Sequence, residues 1–388
     1  MVIYGTQGLY EDAIAYGNLA LGLLEQHWPE NIDRWCRVQL KIYTCYLGLR
    51  QLDLALQTLQ AIKRRTDDPE FLYHCCYIEA MLHTRYLPQR DFARAEALLE
   101  QGLIELARTS FPESKKVFQR VFNRNGLALV RHFQGRPDEA IELCQSGYAE
   151  LNAHLAPDEQ KLHRSVLLYN TAQVYSSIRS YEEAIRYFAA AMQMDPNYSE
   201  YYNERGNMYL KLGRLAEAEQ DYLKAIELSP PYSEVWTNLG QCCRLMGRLQ
   251  EARAAYDRAL DLDPAQPVPL TGRAEICEDL GLLDQALADY TASLALKPNQ
   301  PLALANRAIL HYQLGDLPRA LEDLNQAIIL APQMPDLYGN RAVALTELGR
   351  LEEAAQDLQT YLQLSPDAED RAEVEQKLAA LRVETPVA

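Results

Sequence analysis

Apolar side chains recur every three or four positions along most of the 388-residue chain, the spacing of one helical face. In the stretch 212–228 they are Leu212, Leu215, Ala218, Tyr222, Ala225, Ile226 and Leu228, with polar and charged residues between them. The helical runs are cut at a fixed interval: Pro196, Pro230, Pro264, Pro298, Pro332 and Pro366 follow one another at 34 residues. Twelve residues before each proline stands an alanine: Ala184, Ala218, Ala252, Ala286, Ala320 and Ala354. Twenty-four before it stands a small residue: Ala172, Gly206, Gly240, Ala274, Ala308 and Ala342. Seventeen before it stands Arg179 and then five glycines, Gly213, Gly247, Gly281, Gly315 and Gly349.

Each 34-residue unit therefore reads as two antiparallel helices. The small residue in the first helix and the alanine in the second let the two backbones approach closely. The glycine ends the first helix, where a left-handed residue is needed. The proline stops the second helix and opens the next unit. Units of this kind cannot bury their apolar faces alone, so they stack.

In segments such as YYNERGNMYLKLGRLAEAEQDYLKAIELSP (201–230) the unit resembles the tetratricopeptide repeat. The resemblance covers six repeats from Ser165 to Ala368. It implies an all-α fold, a right-handed α-solenoid of helix-turn-helix repeats. It is specific for fold and says little about function.

Two positions vary together from unit to unit. The seventh residue is Thr171, Arg205, Leu239, Arg273, Arg307 and Arg341, and the twenty-third is Tyr187, Asp221, Ala255, Asp289, Asp323 and Asp357. Arginine and aspartate are present together or absent together. This predicts four ion pairs between facing helices: Arg205–Asp221, Arg273–Asp289, Arg307–Asp323 and Arg341–Asp357.

Residues 1–164 keep fragments of the unit without its prolines. Ala13, Ala55, Ala95 and Ala140 each sit where a close-contact alanine of a second helix would stand. The match around Ala13 leaves no room for a first helix after Met1. The chain would then start with a half-unit cap or follow an upstream segment, and an apolar face (Leu9, Ile14, Leu19, Leu23) bare to solvent would favour the latter. The expected division is thus 1–164 irregular repeats, 165–368 regular repeats, and 369–388 a capping helix with a frayed tail from Val383. Val374, Leu378 and Leu381 form the inner stripe of the cap.

Length alone would suggest two or three globular domains. The repeat replaces that with a solenoid. The net charge of −16, from 54 acidic and 38 basic residues, argues against a nucleic-acid backbone or an anionic membrane as partner. Of it, −2 falls in residues 1–164 and −14 in the rest. No apolar run is long enough to insert in a membrane. No secretory signal is visible, and the eight cysteines lie in apolar helical stretches. They read as reduced thiols in a reducing, cytoplasmic compartment.

In the tetratricopeptide family the first helices line a concave groove in which partner segments bind. Carried over by register, the groove positions here include Asn170, Gln173, Asn203, Asn207, Asn238, Gln241, Arg244, Glu275, Glu278, Asn306, Tyr312 and Asn340. Asparagine holds position 6 of four units (Asn170, Asn238, Asn306, Asn340), and a side-chain amide can both donate to and accept from a peptide group. Asparagine at this position can instead serve repeat packing. Glu275, Glu278 and Asp279 form an acidic group that would favour a basic partner. The carboxylate clamp of chaperone-binding relatives is not matched, since its lysine and arginine positions hold Asn203, Val268 and Gly272.

The chain shows no phosphate loop and no cofactor motif. His74, Cys75, Cys76 and His83 could pair a thiol with an imidazole or hold a soft metal, but their setting is that of an apolar core helix. The expectation is a non-enzymatic scaffold or adaptor that binds a protein or peptide, with no metal and no cofactor. The alternative is an accessory subunit of a larger enzyme or signalling system. Self-association is left open.

Overall fold

The computed structural model describes residues 2–229 and 232–384, with side chains for 8–229 and 232–381. Pro230 and residues 385–388 lie outside the described residues. Among the described residues there are twenty α-helices and no strand, so the chain is all-α. It divides into two compact units, residues 1–212 and 213–388. That boundary falls inside the second regular repeat, whereas the division at 164/165 describes only the regularity of the sequence.

The first unit opens with α1 (Val2–His27) and continues as four helical hairpins: α2 (Ile32–Gly48) with α3 (Leu52–Arg65), α4 (Pro69–Met81) with α5 (Phe92–Arg108), α6 (Glu113–Phe133) with α7 (Pro137–His154), and α8 (Lys161–Ser177) with α9 (Tyr181–Met194). It ends on α10 (Ser199–Lys211), packed on α9. The second unit opens with α11 (Leu215–Leu228). Four hairpins follow: α12 (Ser233–Leu245) with α13 (Leu249–Leu262), α14 (Pro267–Asp279) with α15 (Leu283–Leu296), α16 (Pro301–Gln313) with α17 (Leu317–Leu330), and α18 (Pro335–Glu347) with α19 (Leu351–Leu364). The closing helix α20 (Arg371–Glu384) lies on α19 and buries Val374, Leu378 and Leu381. Of the tail expected to fray, Val383 and Glu384 extend this helix.

The alanines explain the close hairpins. Ala184, Ala218, Ala252, Ala286, Ala320 and Ala354 are fully buried, as are Ala55, Ala95 and Ala140 of the irregular repeats. Ala13 differs. It is exposed, as are Leu9, Leu19 and Leu23, while Ile14 packs into the core formed with α2 and α3. The turn between the helices of a hairpin needs a left-handed residue, and the five repeat glycines have φ of 71 to 81°. Arg179 and Arg50 hold the same conformation, at 60 and 56°, without the freedom glycine brings.

Three of the predicted ion pairs join the helices of one hairpin. In each, the arginine Nε and Nη2 grip both carboxylate oxygens: Arg273 on Asp289 at 2.7 and 2.7 Å, Arg307 on Asp323 at 2.8 and 2.7 Å, and Arg341 on Asp357 at 2.7 and 2.7 Å. The third nitrogen, Nη1, reaches back to the preceding hairpin and donates to Asp257 (2.7 Å), Thr291 (3.3 Å) or Asn325 (2.7 Å). Each arginine therefore ties two second helices together, which the pairing within units did not reveal. Arg205–Asp221 would join residues of different units and stays an expectation. Arg205 lies over the Tyr209 ring.

Candidate functional site

Stacking places the first helices α12, α14, α16 and α18 of the second unit side by side, so their outward positions form one face. Arg244 on α12 pairs with Glu275 on α14 at 3.3 Å. The Tyr290 hydroxyl on α15 donates to Glu278 on α14 at 2.5 Å and accepts from the Asn306 amide on α16 at 3.1 Å. Burial raises the affinity of Glu275 and Glu278 for protons, and the Arg244 guanidinium pulls Glu275 back. The acidic group is thus partly neutralised, leaving Asp279 as its exposed carboxylate. Gln241 is exposed, and Asn238 and Asn340 are half-buried. In the first turns of α14 and α16, Val268 and Leu302 stand 65% and 62% exposed. Tyr312 donates to Glu347 on α18 at a long 3.4 Å.

The corresponding face of the first unit is built from α2, α4, α6, α8 and α10. The Asn170 amide donates to Asn125 on α6 at 2.9 Å, and Gln173 donates to the Tyr169 hydroxyl at 2.9 Å. Asn207 is half-buried. Asn203 is fully buried, which takes it off the groove surface where register had put it. At Asn170 and Asn306, then, the position-6 amide spends a donor on the neighbouring hairpin. Their ladder serves the stacking of repeats, and only the remaining lone pairs and hydrogens could meet a ligand.

Tetratricopeptide-repeat models match residues 124–146, 166–198, 198–265, 301–334 and 318–379. The chain belongs to the tetratricopeptide-repeat family. No curated protein matches it. Among solved structures, this tetratricopeptide-repeat chain is similar to pilF of Pseudomonas aeruginosa, at 17% identity and a TM-score of 0.52, over 56% of this chain and all of the other. It is also similar to PilW, a type IV pilus biogenesis factor, at 21% identity and a TM-score of 0.50, over 54% of this chain and 98% of the other. At these identities the likeness is one of fold. Tetratricopeptide repeats bind proteins or peptides, and in general they are an interaction fold without catalysis.

Of the thiol–imidazole candidates of this tetratricopeptide-repeat protein, the two cysteines sit in its core, and His74 and His83 are half-buried. Cys75 and Cys76 are buried, and burial pushes the Cys75 thiol up to about 12 and raises Cys76 as well. A reactive cysteine needs the opposite shift, toward thiolate at neutral pH. Cys242 and Cys243 are likewise buried and raised. No helix among the described residues is long and apolar enough to cross a membrane.

Proposed function

We propose that this chain is a cytoplasmic, non-enzymatic scaffold or adaptor that binds a partner protein or peptide on the first-helix face of its repeats. The observation that carries the reading is the mixed face of the second unit. There, helices α12, α14 and α16 carry part-neutralised carboxylates and amides together with the exposed side chains of Val268 and Leu302. A surface of this kind gives a bound segment apolar anchors and directional polar contacts together. Asp279 and the acidity of residues 165–388 favour a partner that presents lysine or arginine, chiefly through faster association.

The test is a pull-down with the tagged full chain from its own cells. The proteins it recovers should be lost with the Gln241→Lys, Asp279→Lys double variant and retained with Arg258→Glu on a second helix. Retention by the double variant would refute the assignment of the face. An accessory-subunit reading is favoured by one observation, the bare side of α1, where Leu9, Tyr16 and Leu19 are all more than 60% exposed. A complex that survives the double variant and is lost with Tyr16→Asp would support it.

A further inference from the structure

The first unit carries a pocket of about 270 Å³ that the regular repeats do not explain. Its walls are the aromatic and apolar side chains of Tyr43 on α2, Tyr77 and Met81 on α4, Leu129 on α6, and Tyr86. Three polar groups face it: Arg85, Asn125 and Asn170. Sites for drug-sized ligands run to ~300–1,000 Å³, so this one suits a single large side chain and its backbone.

Three features make it a built site. First, α4 does not end in the usual glycine turn. It passes at Met81 into one π turn, Leu82–Tyr86, held by Thr84 donating to Ala80 O at 2.7 Å and by Leu87 N donating to Leu82 O at 3.1 Å. This wide turn ends α4 and so sets the direction of the side chains it carries. Among them are Arg85 and Tyr86, and both line the pocket. Second, most arginines of this chain are ion-paired, but among the described residues Arg85 has no ion-pair partner, and it is exposed at the pocket wall. Third, the Asn170–Asn125 bond uses a donor of one amide and the acceptor of the other. Among the described residues nothing else takes the two Asn125 N–H groups or the Asn170 oxygen, the complement of a peptide carbonyl and N–H. Swapping the two amide orientations leaves the same pair of functions.

We propose that this pocket recognises a peptide in which an aromatic or large aliphatic side chain is followed by a carboxylate. The apolar walls take the side chain, the Asn125–Asn170 pair holds the peptide group, and Arg85 grips the carboxylate with two parallel N–H bonds. A lone guanidinium fits a carboxylate, whereas phosphorylated motifs are gripped by clusters of arginines. A second cavity shares Tyr43 and Ile78 with this one, and a third shares Tyr77 and Ile78. The peptide therefore has room to run on along the face. The pocket lies on the first-helix face of the first unit and asks for the opposite partner charge from the one offered for the second unit, so either site can fail without the other.

The probe is a fluorescein-labelled, end-blocked six-residue peptide with phenylalanine followed by aspartate between glycines, titrated into the full chain by fluorescence polarisation. The wild type is expected to bind it at least tenfold tighter than the same peptide with asparagine in place of aspartate. Arg85→Ala should abolish that preference with an unchanged circular dichroism spectrum, because the side chain is exposed. Arg85→Lys should restore part of it, and Tyr86→Ala should weaken both peptides. Equal binding of the two peptides, no effect of Arg85→Ala, or no binding of either at millimolar protein would overturn the proposal. So would tighter binding of a phosphotyrosine peptide than of the aspartate peptide.

Discussion

The Arg307–Asp323 pair makes the sharpest stability prediction, because its two ends are buried unequally. The Asp323 side chain is 6% exposed and that of Arg307 19%. Exposed pairs are worth about 0.2–1 kcal/mol, whereas stranding one member of a buried pair costs about 3–5 kcal/mol. Arg307→Met leaves a carboxylate with almost no access to water, so its cost should fall at the low end of the buried range, about 3 kcal/mol. Asp323→Ala leaves a guanidinium whose Nη1 already reaches Thr291 at 3.3 Å and whose end touches solvent, so its cost should be nearer ~1–2 kcal/mol. The double variant Arg307→Met, Asp323→Leu strands neither charge and should recover to within about 1 kcal/mol of the wild type. Repeat arrays unfold by neighbouring units, so the readout is hydrogen exchange over α16–α19 alongside urea unfolding. The reasoning is refuted if Asp323→Ala costs as much as Arg307→Met, or if the double variant costs the sum of the two.

Arg179 holds φ of 60° where the following repeats place glycine. Relieving a left-handed non-glycine residue is worth about 1 kcal/mol, so Arg179→Gly should raise the urea midpoint, and a lower midpoint would contradict this. Gly272 tells the opposite story: a Cβ there would sit 2.5 Å from Tyr256 Cζ and 2.7 Å from its hydroxyl. Gly272→Ala should therefore destabilise the hairpin by about 1–3 kcal/mol, and a silent substitution would show that the ring moves freely. His163 packs against the rings of Phe118 (5.1 Å) and Phe122 (5.4 Å), its Nε2 buried without a hydrogen-bond partner among the described residues. Burial lowers it from 6.5 to about 4. The unfolded chain thus takes up this proton first as the pH falls, and the stability present above pH 6.5 is lost progressively toward pH 4. The loss amounts to ~3 kcal/mol at most. His163→Leu should flatten that part of the pH–stability difference curve, and an unchanged slope would contradict the assignment.

Much of the architecture was legible because a repeat states each constraint many times over. One buried alanine at a helix crossing is weak information. Six at one spacing define the crossing, and all six are fully buried. The arginine–aspartate correlation held for three of its four pairs for the same reason, since a charge at 6% exposure is retained only with its partner. The binding face was harder to read. Whether Asn306 meets a ligand depends on the Tyr290 hydroxyl reaching across from the preceding hairpin, and the sequence of one unit does not encode that distance. Asn203 was placed on the surface by register and is buried instead. The helix carrying His74, Cys75, Cys76 and His83 looked like one apolar run because a π turn keeps helical spacing to within one residue. Its consequence, an arginine with no ion-pair partner among the described residues at the wall of an aromatic pocket, became visible only in three dimensions.

The account rests on the first-helix face being the one that meets partners. Its most direct test is site-specific photo-crosslinking in the native cell, with the crosslinker placed in turn at Gln241 and Asp279 on first helices and at Arg258 on a second helix. The account predicts the same discrete protein adducts from Gln241 and Asp279 and none from Arg258. Adducts from Arg258 alone, or equally from all three positions, would contradict it.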